Sequence, residues 1–521
     1  MVRERALPSI HDRAPLLAFI RDHLGAAGRL DDPAVTLPDE APRTPGGPSF
    51  MAGALDGVMG HHGGSGTDAE RASEIAERIV RAAAKPTRRR LRKLYEAMNT
   101  DDVLGFIDPL IEALAAKRPS TAAVAQIGTW LASTSPDRGP AKIGIALLGI
   151  TGAPDGELLH DLGAHEEFTL FAAVAFGNSR SDPEPDLFTL ARRVDGWGRI
   201  QCVERLRDST DPAIAQWILR EGFRNSVMNE YLAYIAATTG DLATALNEPN
   251  PDRELLTAAG DIIDALIMGG PAEDIDNYPA APDVLARWLA HMDDHAETLG
   301  DFITIRTTRN FCDRDDWDHR LTNSTWTPDT RDTIRDHANA LLEHPRWPQL
   351  VHAGLDSTDR VEFWQAEQAA RTLGIDPFDQ LLARIDTDPL DGPWFQAWQD
   401  ADTDRAHILV DRATQLLDLD AIATGPAKTT GMGPGYKPHM TLGWTLQGIR
   451  DHPGIGADLI SVALQSPSIQ NRNGALNALE AWGPGHWTDD HHHHLRGLEA
   501  SDPDDKVRAR AGELFSDGSQ P

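Results

Sequence analysis

The sequence predicts an all-α protein, and three observations support that prediction. Apolar residues recur at helical spacing, as in Leu91, Leu94, Tyr95 and Met98, which occupy positions i, i+3, i+4 and i+7. Short polar turns rich in Pro, Gly and Asp separate such segments along the chain. The alternation of apolar and polar residues that marks β-strands is scarce.

Length and composition indicate a folded protein with more than one compact body. The chain has 521 residues, of which 40% are hydrophobic and 25% are charged. This is too long for one ordinary core, so we expect two or more domains or one elongated repeat array. The formal net charge of −31 repels phosphate backbones, and naked nucleic acid is therefore disfavoured as a partner.

The cysteine content and the N-terminal segment predict a cytoplasmic location. Cys202 and Cys312 are the only cysteines, too few for a disulfide framework or a cysteine-based zinc site. Arg13, Arg21 and Asp22 interrupt the apolar residues near the N-terminus, so we expect no signal peptide. No stretch reaches the roughly 20 apolar residues that span a bilayer, so we expect no membrane association.

Residues 1–66 are predicted to form one helix followed by an extended arm. The helix is expected around Pro15 to Leu24, and the segment from Asp31 to Gly66 is rich in Pro and Gly. Three apolar side chains are expected to hold the arm against the main body: Phe50, Met51 and Leu55.

Two helical regions are predicted to follow, over residues 67–190 and 191–521. The first opens with Thr67-Asp68-Ala69-Glu70, which fits a capping box. Further on, a wide apolar face from Leu255 to Ile267 ends at Gly269-Gly270-Pro271, a strong helix terminator. Residues 142–145 and 302–305 have some strand character. We expect helix or loop there, because two isolated strands do not build a sheet.

The last helices carry an internal repeat. Ser466 to Leu479 and Ser501 to Ala511 each run as a polar turn with Pro, then Arg, then an inward Ala three residues later. These segments resemble HEAT repeats, whose helix pairs stack to bury their apolar stripes. The resemblance is best over residues 195–240 and about the last 60 residues, without a strict period. It implies a divergent HEAT-like α-α superhelix (a solenoid) behind the N-terminal helix and the Pro/Gly-rich arm.

A second resemblance covers much of residues 195–480. The phrases at 196–200 (GWGRI), 227–234 (VMNEYLAY), 270–278 (GPAEDIDNY) and 471–473 (NRN) look like those of a bacterial family of uncharacterised helical proteins often labelled limonene hydroxylase. Hydroxylation needs haem, flavin or a metal to activate oxygen. Neither cysteine lies in a haem-binding loop, and no Gly-x-Gly-x-x-Gly opens a helix after a strand. No cofactor is therefore predicted.

Several polar clusters fit either metal binding or a solvated surface. His291 and His295 lie four residues apart, but Met292 stands where a zinc protease needs Glu. His491 to His494 cannot all face one ion on a regular helix, and we interpret them as a polar turn. The acidic residues within 313–318 do not match an EF-hand. A solvated surface is the preferred interpretation for each cluster, and no metal site is predicted.

The candidate site is a binding surface assembled from helix starts and turns. The concave face of a solenoid gathers residues from successive repeats, so polar residues at comparable places can converge on one ligand. Hydrogen bonding between repeats is the alternative role, which we prefer for Arg472. The ten candidates are Arg199, Arg224, Asn225, Asn229, Glu230, Tyr231, Asp274, Asp276, Arg472 and Asn473.

The tryptophans divide into core and surface candidates. Trp217, Trp288 and Trp444 follow helical spacing and are predicted to lie in the core. Trp394 and Trp398 are candidate surface anchors, because an indole ring combines a large apolar area with one hydrogen-bond donor.

Three functions are compatible with this sequence. The preferred hypothesis is a scaffold that binds a protein or peptide partner through a concave surface. The second is an enzyme with a small-molecule ligand in a polar pocket between repeats, using Glu230, Asp274 or Asp276. The third, disfavoured by the net charge, is a helical-repeat protein of DNA repair or nucleic-acid binding. A deep pocket with convergent carboxylates of shifted pKa would favour the enzyme.

Overall fold

All the regular secondary structure in the described part of the chain is helical. Over it the chain forms 29 α-helices and no β-strand, which confirms the all-α prediction. Two isolated bridges, Leu24 with Leu30 and Thr429 with Ser468, are the β-type pairings found there. The computed structural model describes residues 7–8, 10–40, 53–54, 69–100, 102–152, 155–323 and 325–518.

The described residues divide into two compact units, 7–347 and 348–518. The predicted domain limits at residues 67 and 191 stay a prediction. The helices of the first unit are α1 (Leu16–Asp22), α2 (Ala69–Ala84), α3 (Arg88–Met98), α4 (Ile107–Lys117), α5 (Thr121–Thr134), α6 (Arg138–Thr151), α7 (Gly156–Gly163), α8 (Glu166–Ser179), α9 (Glu184–Ala191), α10 (Trp197–Glu204), α11 (Pro212–Trp217), α12 (Ala233–Thr239), α13 (Leu242–Ala245), α14 (Arg253–Met268), α15 (Ala281–His295), α16 (Leu299–Cys312), α17 (Asp318–Asn323) and α18 (Pro328–Leu342).

The helix at the limit between the units is α19 (Trp347–Leu355). The helices of the second unit are α20 (Arg360–Leu373), α21 (Phe378–Thr387), α22 (Trp394–Gln399), α23 (Thr403–Leu416), α24 (Leu419–Ile422), α25 (Lys437–Ile449), α26 (Ala457–Leu464), α27 (Ile469–Trp482), α28 (Asp489–Ser501) and α29 (Asp505–Gly518). One π-helical turn (Ile218–Gly222) and four 3₁₀ turns (Asn229–Tyr231, Ile275–Asn277, Pro434–Tyr436 and Pro484–His486) complete the helical elements.

Most of the local expectations are met where the structure describes them. The N-terminal helix is α1, and α14 ends at Gly269, whose φ of +67° suits a residue without a side chain. Residues 142–145 lie in α6 and residues 302–305 in α16, so both are helical. The first two residues of the predicted capping box lie outside the described residues. The same holds for the three apolar residues expected to hold the arm, Phe50, Met51 and Leu55.

The described part of the N-terminal arm is tied to α6 and α8 by charged groups. The Asp39 carboxylate accepts hydrogen bonds from the backbone N–H and the Nε of Arg138, at 2.7 and 3.2 Å. Lys142, which is almost fully buried, donates to Glu167 at 3.0 Å. His165 contacts the carbonyl of Val35 at 3.2 Å, and burial lowers the pKa of this histidine. The bonds of Asp39 and Val35 hold this part of the arm against α6 and the start of α8.

Small residues let helices approach closely in the first unit. Gly144 of α6 lies against α5, where an added Cβ would stand 2.6 Å from the backbone nitrogen of Ala132. A contact this close excludes any side chain, so α5 and α6 pack backbone to backbone. The predicted apolar stripe of Leu91, Leu94, Tyr95 and Met98 is buried on α3.

In the second unit, each of the last long helices packs against the one two places before it. Helix α25 contacts α22 and α27, and α27 in turn contacts α29. A second row is formed by α24, α26 and α28, with α26 packing on α27 and α28 on α29. The apolar stripes are thus covered by neighbours on more than one side.

Arg472 links three turns of the second unit. Its guanidinium donates to the carbonyls of Ser466 and Ala427 at 2.8 and 3.0 Å. It also lies 2.7 Å from the carboxylate of Asp502, and both side chains are fully buried. The Asp502 carboxylate accepts a further bond from the backbone N–H of Asp504 at 2.8 Å. Arg472 therefore bonds between turns, the role that we preferred from the sequence.

The histidine run is helical, so its interpretation as a polar turn is wrong. His491 to His494 lie in the first turns of α28, which begins after the cap residue Thr488. His491 is fully buried, and its ring contacts the backbone N–H of Thr488 at 3.1 Å and the carbonyl of Ala457 at 2.9 Å. The sequence did not reveal this because the ring itself completes the helix cap.

The described residues contain neither a membrane-spanning helix nor a cluster of metal ligands. No helix there is long and apolar enough to cross a membrane. Among the same residues, no group of three or more His, Cys, Asp or Glu side chains is placed to hold a metal ion.

The buried pair of Arg472 and Asp502 gives a stability prediction. Asp502→Ala leaves a buried guanidinium without its counter-ion, so we expect the second unit to lose about 3–5 kcal/mol of unfolding free energy. The double variant Arg472→Met, Asp502→Leu removes both charges and is expected to lose less. Urea denaturation followed by circular dichroism measures both.

The matched control for this prediction is Arg510→Ala. Its ion pair with Glu480 spans 2.6 Å at the surface, with side chains 31% and 60% exposed. Such a pair contributes about 0–1 kcal/mol. Equal losses in Asp502→Ala and Arg510→Ala would contradict the role given to the buried pair.

Candidate functional site

Exposed apolar side chains are concentrated in one part of the second unit. Over the described residues, eleven large apolar side chains are exposed, and eight of them fall between residues 361 and 444. The three aromatic ones all belong to this group. Exposed apolar side chains mark sites of interaction where they lie side by side, as Phe395 and Trp444 do. The eight are Val361, Trp364, Leu390, Phe395, Ile408, Met432, Met440 and Trp444.

Several of these side chains line neighbouring grooves. One groove of about 520 Å³ contains Trp364 of α20 and Gln396 of α22. A second of about 610 Å³ contains Phe395 of α22 and Trp444 of α25. A third of about 420 Å³ runs between α25 and α27 and shares Trp444 with the second. Volumes of 300–1,000 Å³ are typical of ligand sites.

The aromatic rings are positioned by the helix packing beneath them. Trp394 and Trp398 of α22 face inwards, which leaves Phe395 on the outside. The ring of Phe395 then meets Trp444 edge-on, with centroids 5.4 Å apart, a favourable aromatic geometry. Arg371 of α20 donates to the carbonyl of Gln396 at 2.7 Å, which ties α20 to α22.

Amide side chains accompany the aromatic ones. We use the name aromatic–amide face for the following set, all of which line these three grooves: Trp364, Phe395, Gln396, Gln399, Met440, Trp444, Gln447, Gln470, Asn473 and Asn477.

Charge is nearly absent from the helices that carry most of the aromatic–amide face. Helix α22 has no Asp, Glu, Lys or Arg, and α25 has only Lys437. On α27 the charged residues are Glu480 and Arg472, and Arg472 is buried in its bonds to the turns. The first two grooves are also lined by charged side chains, namely Arg360, Glu367, Arg384, Asp391, Arg450 and Asp451. The groove between α25 and α27 has none, so in a chain with 25% charged residues this groove is neutral and polar.

Three of the tryptophan predictions are wrong. Trp394 and Trp398 are buried rather than surface anchors, and Trp444 is 39% exposed rather than core. Helix α25 carries two apolar stripes at helical spacing, one through Leu442 and Ile449 and one through Met440 and Trp444. Spacing alone does not tell which stripe faces a neighbour. Trp288 is buried as predicted, and Trp217 is half-buried.

Four of the candidate residues from the sequence meet in one network of the first unit. Arg199 is buried and donates to the carbonyl of Arg224 at 2.8 Å. Arg224 in turn donates to Asp261 at 2.7 and 3.0 Å. The side chain of Asn225 bonds to the loop that follows it. The backbone N–H of Asn225 donates to the side-chain oxygen of Asn229 at 3.2 Å. Each of these bonds joins two segments of the first unit.

The other candidates of the first unit lie at its turns. Tyr231 is buried with its ring 5.2 Å from that of Trp197. Glu230 is half-buried, and its Cβ would lie 3.1 Å from a Cβ added at Gly270, so the structure brings it to the turn that contains Asp274. The Asp274 side chain caps the 3₁₀ turn Ile275–Asn277.

Asp276 forms an ion pair with Arg320. The two groups bond at 2.5 and 2.9 Å, and Arg320 is buried between this carboxylate and the rings of Phe311 and Trp317. Burial favours the neutral acid, but the hydrogen bond and the charge of Arg320 outweigh it and hold the pKa of Asp276 below its ordinary value. The Asp276 carboxylate is thus engaged in its ion pair with Arg320.

The last two candidates belong to the second unit. Arg472 is the buried link between turns described above. Asn473, one residue on, lines the groove between α25 and α27 and donates to the carbonyl of Ile469 at 3.1 Å. Of the ten candidates, Asn473 is the one found on the aromatic–amide face.

Most of the aromatic–amide face was not identified from the sequence. A signal was present, since residues 394–399 and 438–449 contain no Asp, Glu, Lys or Arg in a strongly charged chain. An aromatic residue followed four positions later by Gln, as in Phe395 and Gln399, is a second signal. Neither pattern shows by itself which helices become neighbours.

The first unit holds a carboxyl group in an unusual environment. Asp264 of α14 accepts a hydrogen bond from Thr304 of α16 at 2.6 Å, while its other oxygen is buried without a partner among the described residues. Burial raises the pKa of Asp264 to about 7 from an ordinary value of 3.8. This acid was not identified from the sequence, because nothing in the helical pattern separates it from its many acidic neighbours.

Asp264 gives a prediction about pH and stability. Its carboxyl ionises near pH 4 in the unfolded chain but near pH 7 in the folded protein. Stability is therefore lost as the pH rises from 4 to 7, because the folded state resists the charge. Asp264→Asn removes this loss, and its advantage over the wild type should grow by about 2 kcal/mol between pH 5.5 and pH 8.

Urea unfolding at the two pH values measures that difference. The control is Asp315→Asn, at an exposed position, which measures the effect of removing a surface carboxylate. An advantage of Asp264→Asn that stays constant across this range would show that the carboxyl does not titrate there.

Comparison with known proteins identifies no family for this chain. No model of a known protein family matches it, and no curated protein does. Among solved structures, an engineered protein from the Northeast Structural Genomics Consortium is similar over 86% of this chain and 99% of its own, at 14% sequence identity and a TM-score of 0.23. A TM-score this low carries no argument about fold or function.

Proposed function

We propose that this chain is a HEAT-like helical-repeat protein that binds a protein partner through the aromatic–amide face. The observation that carries the proposal is the exposure of Trp364, Phe395 and Trp444 beside grooves of one unit. Aromatic side chains supply much of the binding energy of protein interfaces, and large ones are rarely left exposed together without a partner.

The packing of the second unit supports the HEAT-like part of the proposal. Helices α22, α25, α27 and α29 follow one another as neighbours, and α26 and α28 cover them from a second row. Arg472 bonds across the turns before α27 and α29. Stacked helix pairs with such links between turns are typical of repeat proteins, which bind partners along the surface of the stack.

The near absence of charged residues from α22 and α25 supports a protein as the partner. Phosphate backbones are bound chiefly by Lys and Arg, and α22 has neither while α25 has only Lys437. Aromatic rings with amides match the apolar and peptide groups of a polypeptide. Two of the three carboxylates named for an enzyme, Asp274 and Asp276, are instead engaged with a turn and with Arg320.

The proposal predicts that removal of the aromatic rings abolishes binding. The double variant Phe395→Ser, Trp444→Ser should weaken the complex by at least 30-fold, since an aromatic hot spot contributes about 2 kcal/mol or more. Affinity purification from the cells that produce the protein finds the partner. Calorimetry with the purified partner then gives the dissociation constants.

The matched control is Met268→Ser, which removes the most exposed apolar side chain of the first unit, 69% exposed. It should bind as the wild type does. Circular dichroism shows that each variant is folded. A partner held equally by all three proteins, or no polypeptide retained above background, would overturn the proposal.

A further inference from the structure

One amide of the groove between α25 and α27 is buried and unbonded. Asn471 is 3% exposed, and its Nδ2 makes no hydrogen bond with a described residue. It lines the groove of about 420 Å³ together with Gly443 and Gly474. A Cβ added at Gly443 would stand 3.5 Å from Oδ1 of Asn471, so the missing side chain there leaves the amide oxygen next to the groove.

A buried donor without an acceptor is unfavourable in the free protein. Folded proteins satisfy about nine in ten or more of their buried polar groups, and an exception at a groove points to a partner from outside the chain, either a water molecule or a ligand atom. Asn471 offers one donor group and one acceptor. The two matching groups of a polypeptide backbone are its carbonyl oxygen and its N–H.

We infer that the groove between α25 and α27 binds an extended, uncharged polypeptide segment whose backbone is hydrogen-bonded by Asn471 and the neighbouring amides Asn473 and Asn477. The inference rests on the proposed function and names the form of the partner. Apolar side chains of the segment lie against Met440 and Trp444, which line the same groove.

The amides distinguish an extended segment from a helix. A helix satisfies its own backbone groups and presents an apolar stripe to a groove. Docked here, that stripe would cover the amides of Gln447, Asn471 and Asn477 without pairing them, which is unfavourable. An extended chain instead presents a free N–H and C=O at each residue and places alternate side chains on one side.

The spacing of the helices limits the length of the segment. Packed helices lie about 8–10 Å apart, so the path from α22 over α25 to α27 covers roughly 16–20 Å. An extended chain rises about 3.3 Å per residue, and about five or six residues span this path. Because none of the residues that line the groove between α25 and α27 is Asp, Glu, Lys or Arg, binding should depend little on salt.

The experiment uses two peptide libraries displayed on phage and selected on the full chain. One library presents random nine-residue segments, and the other presents a random face on an alanine-rich helix. The best peptide is synthesised, and its dissociation constant is measured by calorimetry at 50 and 500 mM salt. Esters then replace its backbone amides one at a time, which removes an N–H and weakens a carbonyl.

We expect the selected peptide to come from the library of random nine-residue segments. Asn471→Leu should weaken the selected peptide about tenfold or more, while the melting temperature of the free variant stays level or rises because an unpaired amide has been removed. At least one ester should also weaken binding about tenfold, and salt should change the constant less than twofold. The control Asn310→Leu, at an exposed position of the first unit, should leave binding unchanged.

Other results separate the inference from the function on which it rests. Binders from the helical library alone, or binders lost in Trp444→Ser but unaffected by Asn471→Leu, would overturn the inference and leave the proposed function standing. The absence of binders from both libraries overturns the inference. If affinity purification also yields no partner, the proposed function fails with it.

Discussion

Each described helix of this protein has to be covered by its neighbours, because a helix of 4 to 16 residues is marginal in water on its own. The apolar stripe of one helix is buried only when the neighbouring helices pack against it. The polar groups of the turns between these helices then need hydrogen-bond partners. In the second unit Arg472 meets that requirement. It is fully buried and bonds the carbonyls of Ser466 and Ala427 and the carboxylate of Asp502.

The candidate surface follows from this internal bonding. Because Arg472 points inwards on α27, the residues beside it on that helix, Asn473 and Asn477, are left for the groove. On α22 the inward Trp394 and Trp398 leave Phe395 outside, and Phe395 then lies 5.4 Å from Trp444. The same packing that completes the core therefore exposes a neutral row of aromatic and amide side chains.

In the first unit, polar residues bond to other parts of the fold. Arg199, Arg224 and Asp276 join loops and helices through short hydrogen bonds, as do Asp39 and Glu167 in the arm and in α8. Asp264 is the exception, since burial raises the pKa of its carboxyl and one oxygen has no partner among the described residues. Its local environment opposes charge, whereas that of Asp276 stabilises charge.

The sequence by itself determined the helical class, because an apolar spacing of three and four residues is a property of each short segment. It also determined the helix end at Gly269 and the bonding role of Arg472. It did not determine which of two apolar stripes on α25 is buried, so Trp444 was assigned to the core and Trp394 and Trp398 to the surface. Only the tertiary structure decided this, because burial depends on which helix lies opposite. The unpaired amide of Asn471 and the raised pKa of Asp264 likewise arise from residues that are distant along the chain.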